Sequence, residues 1–209
     1  MLPPDRATVA LMVGVDPGLD GNADRLRWNA KYGSGFSASF VPHPLAVAAL
    51  ALAMPPGPVL ELASGPSGNA LLAAAAGRRV VAVDASEVAL GLLADEADRR
   101  GLSGSIRLVH ADLIVWRPEP GRYSLVLCTG FWDRDLFPAG AAAVRPGGLL
   151  GWEAYTVDTL RERPTFPAAW CLAAGEPASL LPAGWQVLRQ IDLPGAKRQL
   201  LARTHVRSS

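Results

Sequence analysis

Cysteine is nearly missing from this chain: Cys128 and Cys171 are the only two in 209 residues, far apart and without CxxC spacing. That excludes a disulfide framework and a zinc knuckle, and makes a reducing cytoplasm the simplest compartment. Histidine is almost as scarce. His43, His110 and His205 are scattered with no HExxH-type pairing, so no metal site is expected. Charge of one sign is lacking too: 20 Lys and Arg against 19 Asp and Glu leave a formal net charge of +1, with the basic residues spread along the chain. No footprint for a nucleic-acid backbone or an anionic lipid follows, and neither partner is expected. Long hydrophobic runs are absent. The run 45–54 is bounded by Pro44 and Pro55 and falls short of the roughly 20 residues that cross a bilayer. The run 7–15 is followed by Asp16-Pro17-Gly18 instead of a small-residue cleavage site, and reads as a strand-like or disordered extension, not a secretory signal.

What is present is one α/β domain's worth of chain, expected as an N-terminal extension over 1–24 and a single domain over 25–209. From Pro58 to Gly151 short apolar runs alternate with helical ones, the pattern of βαβ units and a largely parallel sheet. Strands are expected at 59–62, 79–83, 106–110, 124–128 and 149–154, each apolar enough to be buried on both faces. Helices are expected at 69–76, at 86–99 between Ser86 and Gly101, and at 133–144 before the turn Arg145-Pro146-Gly147-Gly148. Runs 185–192 and 198–205, joined through Pro194-Gly195, predict an antiparallel hairpin at the sheet edge. The expected architecture is a Rossmann-like three-layer α/β/α sandwich with a mostly parallel seven-stranded sheet. Residues 7–40 and a helix over 45–54 are expected to pack over the carboxyl ends of the strands or against one face.

Three constellations could carry chemistry. The run from Val59 through Glu61, Ala63, Ser64 and Gly65 to Asn69 is a strand ending in a small-residue turn that opens a helix. Small residues let a ligand reach the backbone there, and the N–H groups at the helix start favour an anionic group. Asp84 ends the second strand of this unit about 20 residues later, where a carboxylate can accept from both hydroxyls of a ribose. Its competing role, capping the next helix, is already suited to Ser86. Asp112 follows the third strand, where it can accept from an exocyclic adenine amine.

These residues resemble the class I S-adenosylmethionine-dependent methyltransferase family. Glu61 through Ser67 match its first motif, Val83-Asp84 its second, Asp112 its third, and Arg145-Pro146-Gly147-Gly148 its turn before the fifth strand; the likeness covers about 59–154. The usual pattern is Asp/Glu-x-Gly-x-Gly-x-Gly, and Ala63 and Ser67 here replace two glycines. Trp28-Asn29-Ala30-Lys31-Tyr32, Arg163-Pro164-Thr165-Phe166 and Gly175-Glu176 look like the tellurite-resistance and thiopurine-type small-molecule branch. The resemblance implies S-adenosylmethionine as cofactor. Glu61 would orient the methionine ammonium, Ala63, Ser64, Gly65 and Asn69 hold the amino-acid part, Asp84 and Ala85 the ribose, Asp112 and Leu113 the adenine, and Trp28 and Tyr32 cover them. Phe36, Phe131, Trp132, Arg134 and Arg163 would shape a small-molecule acceptor site, with Trp170 near it.

If a base is needed, Asp133, Glu153 and Tyr155 follow the fourth and fifth strands. Each has a structural alternative: Asp133 a helix cap, Glu153 an ion pair with Arg134 or Arg163, Tyr155 packing. Two other functions compete, a non-catalytic S-adenosylmethionine-binding module and an NAD(P)-dependent oxidoreductase. Gly65-Pro66-Ser67-Gly68 is a poor GxGxxG for the latter, and no Lys-Ser/Thr follows the turn to make a P-loop. Thr129-Gly130-Phe131-Trp132 stands where methyltransferases of nucleic-acid amines carry Asn/Asp-Pro-Pro-Tyr. The acceptor atom, O, N, S or a chalcogen oxyanion, and the oligomeric state stay open.

Overall fold

Continuous aliphatic runs bury both faces of a strand, so they belong inside a sheet covered by helices on each side. The computed structural model, which describes residues 12–13, 17–33 and 35–206, has this arrangement. Its strands are β1 (Met12–Val13), β2 (Val59–Leu62), β3 (Val80–Asp84), β4 (Ile106–His110), β5 (Tyr123–Thr129), β6 (Val144–Tyr155), β7 (Trp185–Leu193) and β8 (Lys197–Thr204). They form one sheet in the order β1-β4-β3-β2-β5-β6-β8-β7. Pairing is parallel from β1 across to β6, then antiparallel for β6 with β8 and β8 with β7. The seven expected strands are present, and β1 adds a two-residue eighth beside β4 from within the run 7–15, whose other residues lie outside the described ones.

The helices are α1 (Ala23–Tyr32), α2 (Pro44–Leu50), α3 (Gly68–Ala75), α4 (Glu87–Arg99), α5 (Leu136–Ala143) and α6 (Thr159–Glu162). Alternation along the strands sorts side chains into two apolar layers. Leu125, Leu127 and Leu149 pack with Leu45, Leu71 and Leu93 from α2, α3 and α4. Val126, Leu150 and Trp152 pack with Leu136 and Phe137 from α5 on the opposite face. No helix among the described residues is long and apolar enough to cross a membrane.

The helix expected over 45–54 ends at Leu50, and two further boundaries differ from expectation for local reasons. Tyr123 pairs with Val144 but Leu125 with Leu149, so Arg145-Pro146-Gly147-Gly148 is absorbed as a bulge within β6, with Gly147 at φ +78°, instead of a turn before the strand. Helix α5 begins at Leu136, not Asp133, because the Asp133 carboxylate accepts from the N–H groups of Asp135 (3.1 Å) and Leu136 (2.7 Å) and holds the chain in a turn first. Helix α6 and helix α1, the latter capped by Asn22, were not singled out by the sequence pattern. The strand order reverses between β2 and β5, which makes the crevice beyond their carboxyl ends the natural ligand site.

Candidate active site

The turn after β2 is built from residues that tolerate its backbone. Ala63 (φ +49°) and Gly65 (φ +56°) both adopt left-handed conformations, at a cost of about 1 kcal/mol for the alanine. Ser67 caps α3, its hydroxyl accepting from the N–H groups of Asn69 and Ala70 at 3.0 Å and donating to Glu61 at 2.6 Å. The second departure from the glycine pattern is thus a helix cap. Asn69 donates to Glu61 (2.8 Å) and accepts from the His43 N–H (2.6 Å), tying the turn to the segment before α2. That segment passes so close that a Cβ on Gly68 would lie 2.5 Å from the Phe40 carbonyl oxygen.

Glu61 is 2% exposed and spends its carboxylate behind the turn, on Ser67 and Asn69. Burial pushes its carboxyl up to about 7 against those two hydrogen bonds, with the charge of Asp84 adding to the rise. Because the folded value lies above the unfolded one, the folded state holds an extra proton between about pH 4.5 and 7, and stability falls as pH rises through that window. Urea unfolding at pH 5 and pH 8 is expected to show a loss on the order of 2 kcal/mol in the wild type, and a clearly smaller one in Glu61→Gln. Equal losses in the two proteins would refute the assignment.

Asp84 is 8% exposed and accepts from Gly65 N–H (2.7 Å) and Ser86 N–H (2.8 Å), one on each oxygen. Burial raises its carboxyl, opposed by those bonds. Ser86 caps α4 as expected. Asp112 accepts from Ile114 N–H (2.8 Å) and from the side chain of Asn22 (2.9 Å), the cap of α1. Helix α1 is held over the strand ends by two further links. Arg25 grips Glu87 through both ends of its guanidinium, and Ser86 donates to Asn29 at 2.7 Å. At its other end Tyr32 lies over the turn, 3.1 Å from where a Cβ on Gly65 would sit. Burial, with Asp84 nearby, pushes the Tyr32 phenol up to about 12.

A cavity of about 300 Å³ opens between α1 and the strand ends, near the lower end of small-molecule sites. Ala63, Asp84, Ala85, Asp112 and Leu113 form one wall, Trp28 and Tyr32 the cover, and Phe131 and Tyr155 the far wall. The remaining expected residues sit elsewhere. Phe36 stands edge-on behind Tyr32, at 5.0 Å between ring centres. Trp132 is 3% exposed and packs against Phe137 and Trp152 in the core, because the chain after β5 turns it inward, away from the acceptor side. Arg134 pairs with buried Glu176 at 2.5 Å, and Arg163 lies over the rings of Tyr155 and Phe166. Neither is the partner of Glu153, which binds Lys197 (2.9 Å), Gln199 (2.7 Å) and His43 (3.2 Å). Burial alone would raise the Glu153 carboxyl, and these three donors outweigh it and hold it at about 2. His43 accepts from Leu45 N–H through Nδ1, so its Nε2 carries the proton given to Glu153.

Lys31 also lines the cavity from within the Trp28–Tyr32 motif, and Asp24, Thr129, Gly130 and Lys197 line it without having been anticipated as site residues. Lys197 could have been found by pairing the C-terminal hairpin with β6, which sets it opposite Tyr155. The turn borders the cavity through Ala63 and has a use for a ligand: the Ser64 hydroxyl is buried with no hydrogen-bond partner among the described residues. An amino-acid carboxylate or amine there would satisfy it, so the residues present fit an S-adenosylmethionine-like group.

Comparison with known proteins bears on this geometry. Residues 59–148 match the family described as a methyltransferase domain. Over 90 residues the chain is 36% identical to the ribosomal protein L11 methyltransferase of Pelotomaculum thermopropionicum, a match covering 40% of this chain and 29% of that protein. Geranyl diphosphate C-methyltransferase from Streptomyces coelicolor A3(2), solved with S-adenosyl-L-homocysteine, superposes with a TM-score of 0.67 at 12% identity, covering 93% of this chain and all (100%) of that one. Phosphoethanolamine N-methyltransferase 2 of Haemonchus contortus, also solved with S-adenosylhomocysteine, gives 0.62 at 15% identity over 87% of this chain and 57% of its own. The chain therefore has the Rossmann-like fold of S-adenosylmethionine-dependent methyltransferases, with a methyltransferase domain matched over residues 59–148.

Proposed function

We propose that this protein transfers a methyl group from S-adenosylmethionine to a small-molecule acceptor. The observation that carries the reading is that Asp84 and Asp112, ending neighbouring strands, line one cavity with the Ala63 turn where the sheet order reverses. When bound, S-adenosylmethionine supplies a methyl group already activated on a sulfonium. Asp84 accepts from the ribose hydroxyls through the lone pairs that Gly65 and Ser86 leave, and Asp112 accepts from the adenine amine. Ser64 and the Gly65 backbone hold the amino-acid end, while Glu61 and Asn69 keep the turn in shape from behind. Ala85 and Leu113 flank the nucleoside, and Trp28 and Tyr32 cover it.

Methyl transfer from a sulfonium is an in-line displacement, so the chain's own contribution is alignment and exclusion of water. Of the three candidate bases, Tyr155 is the one on the cavity wall, where its hydroxyl can hydrogen-bond an acceptor and, as the phenolate, would take its proton. Asp133 and Glu153 are occupied by a helix start and a buried charge cluster. The aromatic cover from α1 favours the tellurite-resistance and thiopurine-type branch, and the two free, buried cysteines suit a reducing cytoplasm. Residues 25–209 serve as the methyltransferase domain.

Calorimetric titration with S-adenosylmethionine and S-adenosylhomocysteine tests the reading. Both are expected to bind at one site per chain; a well-folded protein that binds neither overturns the proposal.

A further inference from the structure

Arginine supplies nearly all of this chain's positive charge: of its 20 Lys and Arg, Lys31 and Lys197 are the only lysines. Both line the candidate cavity, and no arginine is among its described lining residues. They reach it from separate elements, Lys31 from the last turn of α1 and Lys197 from the start of β8 opposite Tyr155. Each ammonium rests on aromatic rings. Lys31 Nζ is 4.3 Å from the ring centre of Trp28 and 5.3 Å from that of Tyr32, and Lys197 Nζ is 5.5 Å from that of Tyr155. A cation in the last turn of a helix suits its dipole, but arginine, the usual choice in this chain, would serve that purpose equally. An ammonium differs in being a compact point charge with three rotatable donors.

Those donors are largely uncommitted. Lys31 makes no hydrogen bond or ion pair with a described residue, and Lys197 makes one, to a Glu153 carboxylate that also receives Gln199 and His43. Charge is sorted along the sheet as well. Asp84 and Asp112 follow β3 and β4 on one side of the reversal point, and Lys197 stands beside β6 on the other. The two strand-end acids and Lys197 thus enter the cavity from opposite sides of the reversal point, while Lys31 and Asp24 enter it from α1.

We propose that Lys31 and Lys197 bind an anionic head group, a carboxylate or a phosphate, on the methyl acceptor, whose apolar body lies along Phe131 and Tyr155. The inference rests on the methyltransfer reading of the same cavity and narrows its substrate class. An acceptor of this kind would also bring negative charge toward a sulfonium, an attraction that is stronger wherever bound ligands displace water.

Calorimetry on the full chain saturated with S-adenosylhomocysteine tests this, with benzoate and phenyl phosphate as anionic probes and benzamide as the neutral one. At least one anion is expected to bind about tenfold or more tightly than benzamide, and whichever does so identifies the head group. Lys31→Gln and Lys197→Gln should each weaken that anion about tenfold or more, as loss of a charge-assisted hydrogen bond predicts. Lys31→Arg keeps the charge and should retain most of the affinity, which separates lost charge from lost structure. Benzamide binding as tightly as both anions, no probe binding at millimolar concentration, or anion affinity unchanged in both glutamine variants would each overturn the inference. These results leave the methyltransfer reading standing, whereas a wild type that fails to bind S-adenosylhomocysteine overturns that reading first.

Discussion

Asp84→Ala is expected to lower S-adenosylhomocysteine affinity at least about a hundredfold, since it removes the charged acceptor for two ribose hydroxyls. The loss has a second source in the turn itself. Gly65 N–H and Ser86 N–H both spend their hydrogen bonds on this carboxylate, and each buried donor left without an acceptor costs about 1–3 kcal/mol. The variant should therefore unfold at lower urea, and calorimetry on it belongs at a temperature where circular dichroism shows it fully folded. Under that condition, affinity within a few fold of wild type would remove Asp84 from the ribose contact.

The largest stability effect is expected from Gly68→Ala. The added Cβ would lie 2.5–2.7 Å from backbone atoms of Phe40 and Val41, and backbone cannot rotate away as a flexible side chain can. Either α3 or the arm before α2 must shift, at a cost of at least about 3 kcal/mol, a large part of the 5–15 kcal/mol that holds a typical domain together. Gly91→Ala makes the matching control. Gly91 lies within α4 with nothing within 4 Å of its added Cβ, so alanine should stabilise by roughly 0.5–1 kcal/mol. Urea midpoints of the two variants should move in opposite directions; a Gly68→Ala protein as stable as wild type would show that the arm does not cross α3 where described.

What could be read from the residues follows a physical division. Val59–Leu62 is buried throughout and its bounds agree with the expected strand; Ile106–His110 also keeps its expected bounds, but beside the short strand β1 it is only half-buried, with Arg107 exposed, instead of buried on both faces. Ser86 and Gly101 mark the ends of α4 through local backbone chemistry that needs no tertiary information. Asp84 and Asp112 could be singled out because strand ends determine their position. The failures lie where distant segments meet. Trp132 was expected beside an acceptor because aromatic residues near a strand end look like pocket lining, but its neighbours Phe137 and Trp152 claim it for the core. Glu153 was paired with the wrong cations because its true partners, His43, Lys197 and Gln199, arrive from α2's cap and from β8. Lys31 and Lys197 are separated by most of the chain, and only the closed sheet with α1 laid across it brings them to one cavity. The Pro-Gly-Gly segment reads as a turn by composition, yet β6 continues through it by bulging.

Helix α1 contributes no buried residue to the molecule. Its attachments to Asp112, Ser86 and Glu87 are polar, each worth little net against water. None of its own side chains belongs to either apolar layer, so releasing the helix is expected to cost far less than unfolding the sheet. Hydrogen exchange is accordingly expected to be faster in α1 than in the central strands, because the cover and the sheet are held by separate sets of contacts.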